Sequence, residues 1–376
     1  MLAEAARTLG LSTTQPPMLI NSQPHDGRDA CIECASCPGF ACPSDSKNGT
    51  QNTVILKALA SGRLHVSAET LVDRITTEEA GRVTGVALLW DQAGMRHAAT
   101  VTADIVVVAA GAIETARLLL LSANASEPKG LGNNTDQVGR NLQGHTYPTA
   151  YGLFDRQVHG GKGPGVTIAT TDFAHGLPGV IGGAMLADDF IMTPTAFWEL
   201  ALPPDMPRWG QAPHDFMRQH YRHVLAIKGP VHEIPNPACR VELDPAVTDK
   251  WGRPVARLSG VVHGETSRTA AVILGKAKAW LSAAGASRIW GYTPAPRLSS
   301  HQHQAGTCRM GTSPKNSVTD YHGRVWGHSN LYVADGSLHP TNGAFNPALT
   351  IMALAFRCAD HLLNRLDHQP ASETHI

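Results

Sequence analysis

Nineteen histidines occur in the chain, and one of them, His303, heads the pattern His303-Gln-Ala-Gly306-Thr307, which runs on into Cys308-Arg-Met-Gly311. Imidazole titrates near neutrality. Held beside a substrate hydroxyl it can take the proton while hydride leaves the adjacent carbon, and a base so placed is worth about 10²–10⁴-fold in rate. Most of nineteen histidines must be structural, and His301 is a nearby competitor that fits the spacing less well. Downstream, Asn346-Pro347 precedes an apolar-periodic run from Ala348 to Leu363. Asn is a good N-cap and Pro is favoured at the first helical position, so the pair starts a helix. That helix N-terminus carries partial positive charge and free N–H groups, suited to negative charge developing on a ligand beside it.

Other stretches carry chemistry less directly. Asp335-Gly336-Ser337 follows a strand from Asn330 to Ala334, where Asp-Gly is an ordinary strand-ending turn and the glycine permits close backbone approach. Asp104 to Ala110 is a continuous β-branched run, expected of a strand buried on both faces of a parallel sheet. It turns at Gly111 into a helix through Leu121, a strand–Gly–helix unit of the dinucleotide-binding kind. Cys31-x2-Cys34-x2-Cys37-x4-Cys42 gathers four soft ligands within a dozen residues, leaving zinc, an iron–sulfur cluster and plain reduced thiols all open. Its spacing is neither the paired C-x2-C of a zinc ribbon nor a ferredoxin run. Cys239, Cys308 and Cys358 read as buried apolar positions. Gly160-Gly-Lys-Gly-Pro-Gly165 lacks a preceding buried strand and the third-glycine spacing, so it reads as a loop, and no G-x-G-x-x-G occurs anywhere.

The elements that must position these residues follow from pattern. A short amphipathic helix opens the chain, and Thr53 to Ala60 is a second helix ended by Gly62. Strands are expected at His65–Ser67, Thr70–Thr76, Val83–Trp90 and His97–Thr102, the last two joined as a hairpin at Asp91-Gln-Ala-Gly94. The Gly- and Pro-rich chain from Tyr147 to Pro237 resists local assignment. Antiparallel strands are expected over Arg240–Leu258, turning at Asp249-Lys-Trp-Gly252, followed by a helix from Thr266 to Ala284 and a polar tail after Leu366. With 376 residues, two domains are expected. Net charge is formally zero, which implies no nucleic-acid or anionic-membrane surface, and the apolar runs are too short to span a bilayer. No basic segment followed by an apolar core opens the chain, so no secretory signal is read there and a cytoplasmic location is the expectation.

Taken together, His303–Gly311, Leu331–Pro340 and Asn346-Pro347-Ala-Leu-Thr350-Ile351 resemble the C-terminal signature of the glucose-methanol-choline (GMC) flavoprotein oxidoreductases. Val106–Ser122 resembles the second signature of that family. It departs where Ala116 replaces a frequent Pro and where Ala123-Asn124 replaces glycines. Gly132–His145 is similar to the family's G-R-N-L…H segment. The resemblance implies FAD as cofactor and oxidation of a CH–OH group of a small alcohol or sugar to a carbonyl, with His303 as base and Asn346 orienting the substrate oxygen. It also implies that Ala110, Gly111, Asp335, Gly336, Pro347 and Thr350 lie against the cofactor, with Val72 holding the adenine through its backbone. Many relatives carry a Cys- and Gly-rich turn before a Lys, as in Cys42-Pro-Ser-Asp-Ser-Lys47, without a metal. Some multi-subunit sugar dehydrogenases of the family hold an iron–sulfur cluster in this region.

The implied fold is α/β (α+β): an incomplete Rossmann-like FAD-binding domain from residues 1–147 and 296–366, a substrate domain with an antiparallel sheet at 148–295, and a tail at 367–376. The family opens with a glycine fingerprint that would precede Met1. A fragment, a second polypeptide supplying that unit, and a degenerate relative are therefore all open. So are a non-catalytic electron-transfer or scaffold subunit working through Cys31–Cys42, and a zinc-stabilised binding module.

Overall fold

The computed structural model describes residues 1–34, 37, 39–79, 81–189, 192–297 and 302–367. Two units emerge: residues 1–67, 147–231 and 268–294 form one, and residues 68–146, 232–267 and 295–376 the other. His301 and the tail from 368 onward lie outside the described residues.

The unit containing His303 is built on short ladders. Leu71–Thr77, Val83–Gln92 and Met95–Thr102 form an antiparallel sheet in that order. Its hairpin closes at Gln92↔Met95 with Ala93 and Gly94 both left-handed, φ 50° and 77°, as a two-residue type I′ turn demands. Arg240–Thr248 pairs antiparallel with Pro254–Ser259 across the expected turn, and Arg253 grips the buried Asp73 carboxylate through Nε and Nη2. Val106–Val108 pairs in parallel with Leu331–Val333 and leads into the helix Gly111–Leu121. Val106, Val108, Ala116, Leu119, Leu331 and Val333 join one apolar core. The expectation of burial on both faces is not met: Val107 is 44% exposed. β-branching fixes the strand, but coverage of a face depends on the chain packed over it, and the face carrying Val107 is open. His65–Ser67 forms no strand, since three extended residues without a ladder partner gain no cross-strand hydrogen bonds.

The other unit contains the stretch that pattern left unassigned. Five antiparallel strands lie in the order Arg288–Tyr292, Thr149–Leu153, Val224–Lys228, Leu186–Asp189 and Ala169–Thr170. Alternation sends Ala150, Leu225 and Ile227 to one core, joined by Ala270, Ile273, Ala277, Trp280 and Leu281 of the helix Gly264–Ala283 at helical spacing. Tyr151, Val224, Ala226 and Trp290 pack on the opposite face with Phe197 and Phe216. That face also lines a cavity of about 380 Å³ that includes Thr149, Tyr151 and the ion-paired Asp189 and Lys228. No helix among the described residues is long and apolar enough to cross a membrane.

Candidate active site

Backbone pairing brings His303 and His145 together across 158 positions of sequence. Gln143 and Ala305 exchange both backbone hydrogen bonds, at 3.0 and 2.9 Å, and the His145 N–H donates to Gln302 O at 3.1 Å. On the other edge, the Gly306 and Cys308 N–H groups donate to Gly336 O and Ser337 O at 3.2 and 3.0 Å. The glycine of the His-x-x-Gly-Thr pattern has a packing cause. Gly306 sits at φ 87°, and a Cβ there would fall 2.5 Å from Asn141 O. Thr307 is fully buried and its hydroxyl donates to Ala112 O, tying the segment to the helix Gly111–Leu121.

The two imidazoles meet edge-on, Nδ1 to Nδ1 at 2.8 Å, with ring planes at 78°. His145 is 1% exposed and its Nε2 lies 3.1 Å from Gly343 O. Burial pulls the His145 pKa down to about 4 and lowers that of His303 as well. Both rings are therefore neutral near pH 7. His303 also has a left-handed backbone, φ 62°, which costs a non-glycine residue about 1 kcal/mol. The buried Asn342 holds that conformation, donating through Nδ2 to His303 O at 2.7 Å and to Gly144 O at 3.3 Å, with its Oδ1 3.1 Å from His339 Nδ1. Asn342→Ala removes these hydrogen bonds and is expected to cost about 2 kcal/mol in urea unfolding at unchanged m-value. A loss under about 0.5 kcal/mol would mean that the ladder alone fixes His303.

The remaining expected residues fall in the same unit. Asn346 is exposed, with Nδ2 3.5 Å from His303 Nε2. Pro347 is buried and its carbonyl accepts from the Ile351 N–H at 2.9 Å, opening the helix Ala348–Asp367 with Leu349 and Thr350 exposed in its first turn. The Asp335 carboxylate faces inward, accepting from Gly111 N at 2.9 Å, from Ser337 N at 2.8 Å and from the Thr115 hydroxyl. The Asp335-Gly336 backbone is itself buried, Asp335 O accepting from Leu338 N and Gly336 O from Gly306 N, both at 3.2 Å. Ala110 lies at the start of the helix Gly111–Leu121, its N–H donating to Thr115 Oγ1 at 3.0 Å. Gly111 sits at φ 81°, and a Cβ there would meet nothing within 4 Å, so this turn opens onto free space. Val72 lies in the strand Leu71–Thr77, 36% exposed. An open glycine turn, an exposed helix N-terminus and an outward histidine–asparagine pair fit the ring and ribityl side of FAD. A glycine-rich pyrophosphate turn is not among the residues of this chain.

Cys31, Cys34, Cys37 and Cys42 lie in the other unit as free, half-buried thiols. Among the described residues no group of three or more Cys, His, Asp or Glu is arranged to hold a metal ion. Cys42 Sγ lies 3.3 Å from Ser46 Oγ and 3.6 Å from Ser44 Oγ, and these contacts, Ser46 first, draw its pKa down to about 6. Burial moves Cys37 the opposite way. Lys47 Nζ donates to Cys37 O at 3.1 Å, so the lysine that follows the turn serves to brace it.

His145, Asn342 and Gln143 were not picked out by residue type. His145 ends the Gly132–His145 segment, and nothing in its own neighbourhood reports a ring 158 positions away. Glu233 was missed too: buried, it accepts from Gly144 N and from the Thr146 hydroxyl, both at 2.9 Å, fixing the backbone on each side of His145.

Known proteins share this organisation. The models of the two GMC oxidoreductase domains match residues 1–147 and 235–355. The chain is 31% identical to 2-methyl-1,2-propanediol dehydrogenase of Mycolicibacterium austroafricanum, over 96% of this chain and 65% of that protein. It is 28% identical to the fructose dehydrogenase large subunit of Gluconobacter japonicus, over 96% of this chain and 65% of that one. The chain thus spans just under two thirds of the length of these relatives. Pyridoxine 4-oxidase from Mesorbium loti superposes with a TM-score of 0.56 at 18% identity, covering 78% of this chain and 57% of that one, a likeness of fold.

Proposed function

We propose that this chain, which belongs to the GMC oxidoreductase family, oxidises a CH–OH group of a small alcohol or sugar to a carbonyl. The observation that carries the reading is the outward pair of His303 Nε2 and Asn346 Nδ2, 3.5 Å apart at the start of an exposed helix. FAD, when bound, supplies the hydride acceptor. His303 Nε2 takes the hydroxyl proton as the carbon gives up its hydride, and the oxygen's remaining electron pair becomes the carbonyl bond. Asn346 Nδ2 donates to that oxygen and orients the carbon it bears. Ala110, Gly111, the Asp335-Gly336 backbone, Pro347, Thr350 and Val72 would hold the cofactor. The relatives named for a diol and a ketose favour a polyhydroxylated substrate.

The cofactor site is completed by a strand–glycine turn–helix unit from outside these residues, whether on a preceding segment or on a second polypeptide. Two features of the site-bearing unit support this occupant. Among the described residues the parallel sheet has two strands, Val106–Val108 and Leu331–Val333. The helix Ala348–Asp367 presents Leu349, Phe356 and Leu363 at seven-residue spacing, 71%, 68% and 59% exposed. An apolar stripe of that kind is a surface that water does not favour.

The test is the flavin spectrum after incubation of the chain with FAD and desalting, followed by anaerobic addition of a panel of diols and sugars. Bleaching of the oxidised-flavin absorbance by a panel member is the expected result. A flavin-loaded chain that stays oxidised with every alcohol and sugar tried sinks the reading. A chain that retains no flavin until the glycine-turn unit is added identifies that unit as the missing part.

A further inference from the structure

The hydrogen bonds around His145 determine which nitrogen of His303 carries the proton. His145 Nε2 lies 3.1 Å from the carbonyl oxygen of Gly343, and a carbonyl can only accept. The proton of His145 is therefore on Nε2. A neutral imidazole has a single N–H, which leaves His145 Nδ1 with a lone pair. That lone pair faces His303 Nδ1 at 2.8 Å, so His303 Nδ1–H must donate, and His303 Nε2 is left bare. Asn346 Nδ2 carries only hydrogens, and its approach to His303 Nε2 at 3.5 Å is the contact a bare nitrogen invites.

We infer that His145 is a positioning residue: it holds His303 in the tautomer whose Nε2, on the Asn346 side, can accept a proton. The inference deepens the proposed base role of His303 and rests on it for its catalytic meaning, while the tautomer itself requires neither flavin nor substrate. Burial supports it, because His145, drawn down to about 4, stays neutral across the working range and keeps its Nδ1 lone pair. When His303 Nε2 takes a proton the ring becomes an imidazolium, and its Nδ1–H bond to His145 becomes charge-assisted and stronger. His145 thus favours the protonated product of the transfer without touching the substrate. Its own place is fixed by the Gly343 carbonyl, by its backbone N–H on Gln302 O, and by Glu233 bracketing residues 144 and 146.

The test uses the 376-residue chain labelled with ¹⁵N-histidine, the His303 resonances being identified by their loss in His303→Ala. A protonated Nδ1 and a bare, pyridine-like Nε2 on His303 are expected between pH 7 and about 8, where both rings are neutral. His145→Phe removes the acceptor that His145 Nδ1 presents to His303 Nδ1, and His303 shifts toward the Nε2–H form. In His145→Asn the side-chain oxygen stands where Nδ1 stood, and the wild-type pattern returns. In the flavin-loaded protein His145→Phe lowers kcat by about 10–10²-fold with KM little changed, and His145→Asn recovers most of it. An Nε2-protonated His303 in the wild type, or an unchanged tautomer in His145→Phe, overturns the inference. If His145→Phe fails to fold, the wild-type and His145→Asn spectra still decide. Loss of all turnover with the expected spectra counts against the proposed reaction and leaves the tautomer assignment standing.

Discussion

Replacing His303 with alanine lowers the rate of substrate-driven flavin reduction by about 10²–10⁴-fold while FAD stays bound, as measured by stopped-flow bleaching across a substrate series. The size of the effect follows from the role: no other side chain is needed to take the hydroxyl proton, and Asn346, a neutral amide, cannot replace a base. The ladder that holds position 303 is made by backbone groups of Gln302, Ala305 and Gly306, so truncating the side chain leaves the fold in place. The pH profile adds an independent check. Burial holds the His303 pKa below the ordinary histidine value of about 6.5. The working form is neutral, so the rate is full above the His303 pKa and falls about tenfold per unit as pH drops below it. The acid limb must therefore have its midpoint below about 6.5, and raising the pH toward 8 costs nothing through this group. A midpoint above 7, or an alanine variant within about threefold of wild type, would remove His303 from the base role.

How far the sequence foretold the molecule depended on how local each cause was. The strand–Gly–helix unit at Val106–Leu121, the hairpin at Ala93-Gly94 and the helix after Asn346-Pro347 arise from β-branching, left-handed turn chemistry and capping, all written within a few residues. The antiparallel sheet of the 148–295 region was implied by the family resemblance, but most of its strands were not assignable from local pattern. Its strands are as short as Ala169–Thr170, and they are stabilised by pairing with segments such as Arg288–Tyr292, far away in the chain. Of the candidate site, His303 and Asn346 were singled out by the resemblance of their segments to the GMC signature, and the structure places the two side chains 3.5 Å apart. The partner that orients His303 was not singled out, because the contact with His145 exists only once residues 143–145 pair with 302–305. The open face at Val107 was misread for a related reason: a β-branched run encodes a strand, whereas its covering is supplied by other parts of the fold.

The largest stability effect is expected from Asp335→Ala. Ala110, the residue at the N-cap of the helix Gly111–Leu121, offers no side-chain cap, and the Asp335 carboxylate takes that place from 224 positions away by accepting the Gly111 N–H at 2.9 Å. The same carboxylate accepts the Thr115 hydroxyl and, at 2.8 Å, the Ser337 N–H, so it ties the end of the strand Leu331–Val333 to the start of the neighbouring helix. Asp335 is only 7% exposed, and its negative charge at a helix N-terminus is favourably placed against the dipole. Hydrogen bonds to a charged acceptor contribute about 1.5–3 kcal/mol each and do not add fully, so a loss of roughly 3 kcal/mol is expected. At about 2–4 °C per kcal/mol for a domain of 150–250 residues, the midpoint should fall by roughly 6–12 °C. Asp335→Asn separates the two contributions: its amide oxygen can keep the Gly111 bond, but its NH₂ would face the Ser337 N–H, so it should fall between the alanine variant and wild type. The glycine turn at Gly111 and the Asp335-Gly336 backbone are also the proposed flavin contacts. Loosening the tie between them should therefore weaken FAD retention in the order wild type, Asn, Ala. An alanine variant that melts within about 1 °C of wild type would mean that core packing of Val106, Val108, Leu331 and Val333 holds this corner without the carboxylate.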